Sequence, residues 1–285
     1  MEPDLFENHI RRLYNQLKSL STRSVKSAGP GDIHDMRVQI KRLSLVCAFL
    51  DESGITAVRQ MDEYRVLKEY FKSAGRLRDI QNQLQILEAY SRMNDKGYAE
   101  YVLYLDGMES RARSRITSGN GKFPLQELKM VISYVQKAVR NSRGQDIHKL
   151  SVRFVKDRSR KVEEHYLDHD SGPSLHQLRK TIKELRYFLE LFVECSTGQD
   201  LPSVRFDEIR QVEDLLGKWN DLNVFCMELK RYSTNYKLVH GIDAFPAYEN
   251  LLLQVSGNAA DEIGDIQPIL LGLITNLSMS LMRLN

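Results

Sequence analysis

Several things are scarce in these 285 residues, and each scarcity excludes something. The three cysteines, Cys47, Cys195 and Cys226, are odd in number and form no CxxC pair, so no disulfide framework is expected and a reducing, cytoplasmic setting is. Sixteen glycines and seven prolines are too few for many short strands and turns, and fit long helices. An unbroken apolar run of about 18 residues is missing. The most apolar stretch, 266–282, is interrupted by Gln267, Pro268, Gly272, Asn276, Ser278 and Ser280, and reads as a buried helix rather than a membrane span. Glu2, Asp4 and Glu7 leave the N-terminus without the apolar core of a secretory signal. An excess of one charge is also missing. The 41 Lys and Arg against 38 Asp and Glu leave +3, too even to mark a nucleic-acid binder by composition.

Motifs of catalysis are missing as well. No GxxxxGK[ST], GxGxxG or GxSxG occurs. His165 and His169 stand four apart near Glu164 and Asp168 but form no HExxH, so no metal site and no cofactor are expected.

What is present is a repeat. Ile33-His-Asp-Met-Arg-Val-Gln-Ile-Lys-Arg-Leu pairs with Leu175-His-Gln-Leu-Arg-Lys-Thr-Ile-Lys-Glu-Leu, and 176 less 34 gives an offset of 142. Gly75-Arg-Leu-Arg-Asp-Ile pairs with Gly217-Lys-Trp-Asn-Asp-Leu at that same offset. Two pairs in one ungapped register argue for tandem copies, 1–142 and 143–285. The first copy holds 23 basic and 17 acidic residues, the second 18 and 21.

Both copies read as helices, with no period-two run long enough for a strand. Helical patterns cover 4–20, 32–52, 56–93, 97–118 and 124–141, then 146–167, 174–195, 203–232, 244–262 and 267–283. Gly and Pro clusters mark the breaks. The expected class is all-α, two tandem bundles.

On a helical wheel His34, Arg37 and Lys41 share one stripe, and His176, Arg179, Lys183 and Arg186 share the matching one. The apolar residues Ile33, Met36, Ile40, Leu43, Cys47 and Leu50 lie opposite, as do Leu175, Leu178, Ile182, Leu185, Leu189 and Phe192. A solvated face ordinarily mixes signs, because like charges three and four apart repel. A cationic stripe repeated in register therefore points to a bound anion. The glycine motifs add Arg76 and Arg78 after Gly75 and Lys218 after Gly217, with Lys72 and Lys68 one and two turns earlier. Each glycine marks either a close approach or a kink. Asp79 and Asp221 read either as orienting an Arg or as surface ion-pair partners.

At His34-x-x-Arg37-x-x-x-Lys41-Arg42-Leu43 with Gly75-Arg-Leu-Arg-Asp, and at His176-x-x-Arg179-x-x-x-Lys183-x-Leu-Arg186-Tyr with Gly217-Lys-x-Asn-Asp, the sequence resembles the CHAD family, the conserved histidine α-helical domain. The resemblance spans nearly the whole chain. It implies two helical bundles about a pseudo-twofold axis and the binding of inorganic polyphosphate, without catalysis, in a basic groove or channel between the two helical halves. Carried over, His34, Arg37, Lys41, Arg42, Lys72, Arg76 and Arg78 face His176, Arg179, Lys183, Arg186 and Lys218. It also implies polyphosphate-metabolising partner proteins and an association with polyphosphate granules. The sequence departs from the family at Ser44, where Arg is frequent; Glu184 stands where the first copy has Arg42, and Asn220 replaces the second Arg of the second glycine motif. The ExExK motif of triphosphate-tunnel relatives is missing, so phosphatase activity is not implied. Two other classes use the same cations. A single-stranded nucleic-acid binder needs aromatic platforms beside them, and only Tyr187 lies near. A phosphate-handling enzyme needs clustered acids for Mg²⁺, and none is visible.

Overall fold

The computed structural model describes residues 1–26, 28–91, 98–118, 121–142, 146–167, 172–197, 205–240 and 246–282. Among them are nine α-helices, one 3₁₀ turn and no strand. They run α1 (Pro3–Lys26), α2 (Pro30–Glu52), the 3₁₀ turn Val58–Gln60, α3 (Asp62–Ser91), α4 (Ala99–Thr117), α5 (Leu125–Asn141), α6 (Ile147–Leu167), α7 (Gly172–Glu194), α8 (Phe206–His240) and α9 (Pro246–Met282). The all-α class is what the sequence pattern predicts. Both ends of α2 and α7 lie 142 residues apart, since 172 less 30 and 194 less 52 give the same number.

The ends of α2 show why this segment folds as it does. Pro30 occupies the first turn, where its missing N–H has no helical partner, and Asp32 meets the positive end of the dipole. At the other end Gly54 takes φ +71. There its N–H donates to the Asp51 carbonyl at 3.0 Å and the Ile55 N–H to that of Leu50 at 2.9 Å, a left-handed glycine cap. The Asp51 side chain then accepts the Val58 N–H at 2.8 Å and the Arg59 N–H at 3.1 Å. Met61, extended at ψ 143, then separates the 3₁₀ turn from α3, where one continuous helix over 56–93 is expected.

The apolar stripes of α2 and α7 are buried as the wheel predicts, and Leu45, Val46 and Phe49 join them because the end of α2 is enclosed on several sides. Phe49 and Phe188 stand 4.9 Å apart, Phe154 and Phe188 4.4 Å, and Phe49 and Phe154 5.5 Å, so one aromatic core joins residues of both halves. A smaller core lies between α3, α4, α8 and α9, built on Leu87, Tyr101, Phe225, Leu229 and Tyr248.

The largest difference from the sequence pattern is α9. Separate helices over 244–262 and 267–283 are expected, yet one helix runs through Pro268. Proline there frees the carbonyl of Gly264. Gly264 is exposed with open space around it, so water can take that carbonyl. Buried Ile266, Leu270 and Leu273 anchor the helix on both sides of the proline.

Candidate functional site

Helices α2 and α7 touch, as do α3 and α8, and the two cationic stripes meet between them. Lys41 is pushed down to about 7, first by burial and then by Lys183, Arg37 and Arg179, with Glu213 opposing. Arg37 is lowered by burial, while Asp79 raises it and Arg78 and Arg179 lower it further. Lys183 is lowered by burial and by Arg179. His34, lowered by burial and then Arg78, also feels Lys183. Cations that lie 142 residues apart in sequence thus repel one another directly across the contact of α2 with α7.

Several of these cations lack a counter-charge. Among the described residues Lys41, Arg78, Arg179 and Lys218 have no carboxylate within ion-pair distance. The Nε of Arg179 is buried with no hydrogen-bond partner. An orphaned buried guanidinium donor is costly and asks for an acceptor.

Arg37 is held in place. Its Nη1 donates to the Phe71 carbonyl at 2.7 Å, and its guanidinium lies 4.3 Å from the centre of the Phe71 ring. It crosses α3 at Gly75, where any Cβ would run into the guanidinium. The glycine therefore marks a close approach, of a side chain rather than of a helix. At Gly217 a Cβ would stand 3.8 Å from Nη2 of Arg179, ordinary contact.

Arg42 and Arg186 are placed differently from the rest of the expected stripe. Arg186 bonds Glu213 through Nε at 2.5 Å and Glu190 through Nη1 at 2.6 Å. Arg42 donates to Glu190 at 2.9 Å, and Lys183 pairs with Glu213 at 3.3 Å. Both arginines stack on Tyr187, at 5.4 and 4.4 Å, and Tyr187 is only 7% exposed. Their charge is thus matched inside the protein, and Tyr187 is covered rather than offered as a base platform. Glu184, which breaks the repeat, bonds buried Arg158 at 3.2 Å.

The remaining expected residues, Lys218 among them, are exposed. His34 and His176 are exposed; His176 Nδ1 meets Asn220 Oδ1 at 3.0 Å, so the residue that departs from the family pattern orients this histidine. Asp221 accepts from Asn82 at 3.3 Å and Asn220 at 3.4 Å, organising amides rather than an arginine. Asp79 is raised, first by burial and also by Asp221, with Arg37 opposing. Arg76 and Lys72 are exposed on α3. Lys72 joins Lys68 and Lys180 in a second basic patch, in which Lys68 is lowered by burial and then by Lys180 and Lys72. Lys180 was missing from the sequence stripe, although it lies about 40° from His176 on the wheel. His169 lies outside the described residues, and among those described no three metal-ligating groups converge.

The CHAD domain family matches residues 6–230. This chain belongs to that family. Its fold is similar to the crystal structure of the CHAD domain from the plant Ricinus communis, with a TM-score of 0.71 at 15% identity over 97% of this chain and 91% of that one. A comparison with curated proteins finds no match. The family match ends within α8, whereas the structural likeness extends over most of α9 of this CHAD domain. No helix among the described residues is long and apolar enough to cross a membrane.

Proposed function

We propose that this CHAD domain binds inorganic polyphosphate, without catalysis, in the groove between α2–α3 and α7–α8, and that its halves are tandem copies. The observation that carries the reading is the convergence of Arg37, Lys41, Arg78 and Arg179, where burial first and then Lys183, Arg37 and Arg179 hold Lys41 at about 7, and where Arg179 Nε has no partner. A flexible polyanion with one charge per unit suits such a surface. The arginines bond phosphate oxygens in pairs, and Lys41 acts as a point charge. His34 and His176 at the rim add donors. Binding releases counterions and so weakens with salt; five phosphate contacts give a log–log slope of roughly −3.5.

The test is fluorescence anisotropy with labelled long-chain polyphosphate over a salt series, with single-stranded RNA and duplex DNA as competitors. Salt-sensitive binding that nucleic acids do not displace, and that Arg37→Ala with Arg179→Ala abolishes, supports the reading. Equal displacement by RNA would move the assignment to single-stranded nucleic acid.

A further inference from the structure

A cavity of about 610 Å³ opens off the groove between α3, α8 and α9, a volume suited to a small-molecule ligand. On α3 its lining runs from Arg78 to Tyr90, roughly 18 Å at 1.5 Å per residue. The lining is graded along that length. Arg78 and Lys218 form a cationic end that belongs to the groove already described. Next come Asn82 and Asp221, bonded to each other. Ile86, Ala89 and Leu222 make an apolar wall. At the far end Asn258 donates to the Tyr90 hydroxyl at 2.6 Å.

The third wall, α9, supplies Asp261 and Glu262. Asn276 further along α9 bonds Glu208 near the start of α8, so α9 runs from the Tyr90 end toward the Lys218 end. Its two carboxylates therefore sit between the aromatic and cationic ends. They do not pair with Arg78 or Lys218, and Oε2 of Glu262 is buried without a hydrogen-bond partner. An orphaned carboxylate oxygen asks for a donor, which a ligand hydroxyl can supply.

We propose that this cavity takes the nucleoside of a nucleoside polyphosphate, its phosphates lying on Arg78 and Lys218 and running into the groove. The order of chemistry matches: phosphates on cations, ribose hydroxyls on the carboxylates of α9, the base against Ile86, Ala89 and Leu222 beside Tyr90. A carboxylate accepting from a ribose hydroxyl is a recurrent arrangement. The proposal rests on the groove being a phosphate site and adds a ligand class to it.

The experiment compares ATP, 2′,3′-dideoxy-ATP and inorganic tripolyphosphate by calorimetry in EDTA. Tripolyphosphate carries more charge, so electrostatics alone favours it. The expected result is ATP at least tenfold tighter than tripolyphosphate, with the dideoxy analogue about fivefold weaker than ATP. Ala89→Trp, which fills the wall, brings ATP to the tripolyphosphate level while tripolyphosphate stays within twofold; Asn258→Trp is the second filling variant if the first fails to fold. Glu262→Gln weakens ATP but not the dideoxy analogue. ATP binding no tighter than tripolyphosphate overturns the proposal, and so does an ATP advantage that survives both tryptophans. Long-chain polyphosphate binding without an ATP advantage overturns this proposal alone. Loss of every phosphate ligand overturns the groove reading and this with it.

Discussion

On the proposed reading, Lys41 makes polyphosphate affinity depend on pH in a window that histidine would not produce. Its ammonium is charged below about 7 in the free domain and largely neutral above it, because burial, Lys183, Arg37 and Arg179 all disfavour the charge. Bound polyphosphate supplies the missing counter-charge and lifts the group toward its ordinary value near 10.5. Binding above pH 7 must then take up a proton, so affinity falls as pH rises. With the two limits at about 7 and 10.5, the loss from pH 6 to 7 is less than twofold and from pH 7 to 9 roughly 50-fold. His34 is held below its usual value by burial and Arg78, so its charging contributes only in the acid direction. The assay is anisotropy at constant ionic strength from pH 6 to 9, with proton uptake read by calorimetry in two buffers of different ionisation heat. Lys41→Arg, always charged, should flatten the profile above pH 7. A loss under threefold between pH 7 and 9, or an unchanged slope in Lys41→Arg, refutes the reasoning.

Further expectations follow from the same geometry. Gly75→Ala forces the Arg37 guanidinium off the Phe71 carbonyl, weakening polyphosphate binding several-fold and stability by about 1 kcal/mol, whereas Gly217→Ala binds normally and melts no lower. Glu213→Gln leaves Lys183 and Arg186 partly unmatched and lowers stability by about 2 kcal/mol in denaturant titration, while tightening polyphosphate. Lys41→Met removes a crowded buried charge, so thermal scanning at pH 6.5 should show a higher Tm alongside weaker polyphosphate binding. Phe188→Ala opens the aromatic core and costs about 3–5 kcal/mol; one cooperative transition in circular dichroism is expected, since both halves share that core.

The sequence reveals what is periodic and local. The stripes of α2 and α7 are legible because helical spacing alone separates Ile33, Met36, Ile40 and Leu43 from His34, Arg37 and Lys41. Lys180 is equally legible by helical spacing but falls outside the repeated stripe, because Val38 stands in the matching place of the first half. Partners supplied by other helices are not legible. Nothing in the α7 pattern says that Arg186 and Lys183 meet Glu213 from α8, or that Arg42 meets Glu190 148 residues away. Pro268 misled for a related reason: whether a proline ends a helix depends on whether the freed carbonyl can reach water, which is a property of packing.

The two halves therefore contribute unlike chemistry to one groove. On α7, Lys183 and Arg186 are neutralised by Glu213 and Glu190, the latter on the same helix. On α2, Lys41 has no such carboxylate, and Arg37 leans on a carbonyl and a ring. The uneven charge of the halves, 23 basic to 17 acidic against 18 to 21, thus has a local counterpart at the site. Repulsion among unmatched cations is tolerable because α2 and α7 are clamped from below by Phe49, Phe154 and Phe188, which bury together whether or not an anion is present. A frame fixed by the core holds the charges closer than they would stand alone, and on the proposed reading an entering polyanion relieves that repulsion. By this argument the strongest contacts belong to the first half and to Arg179, the cation of the second half left without a carboxylate.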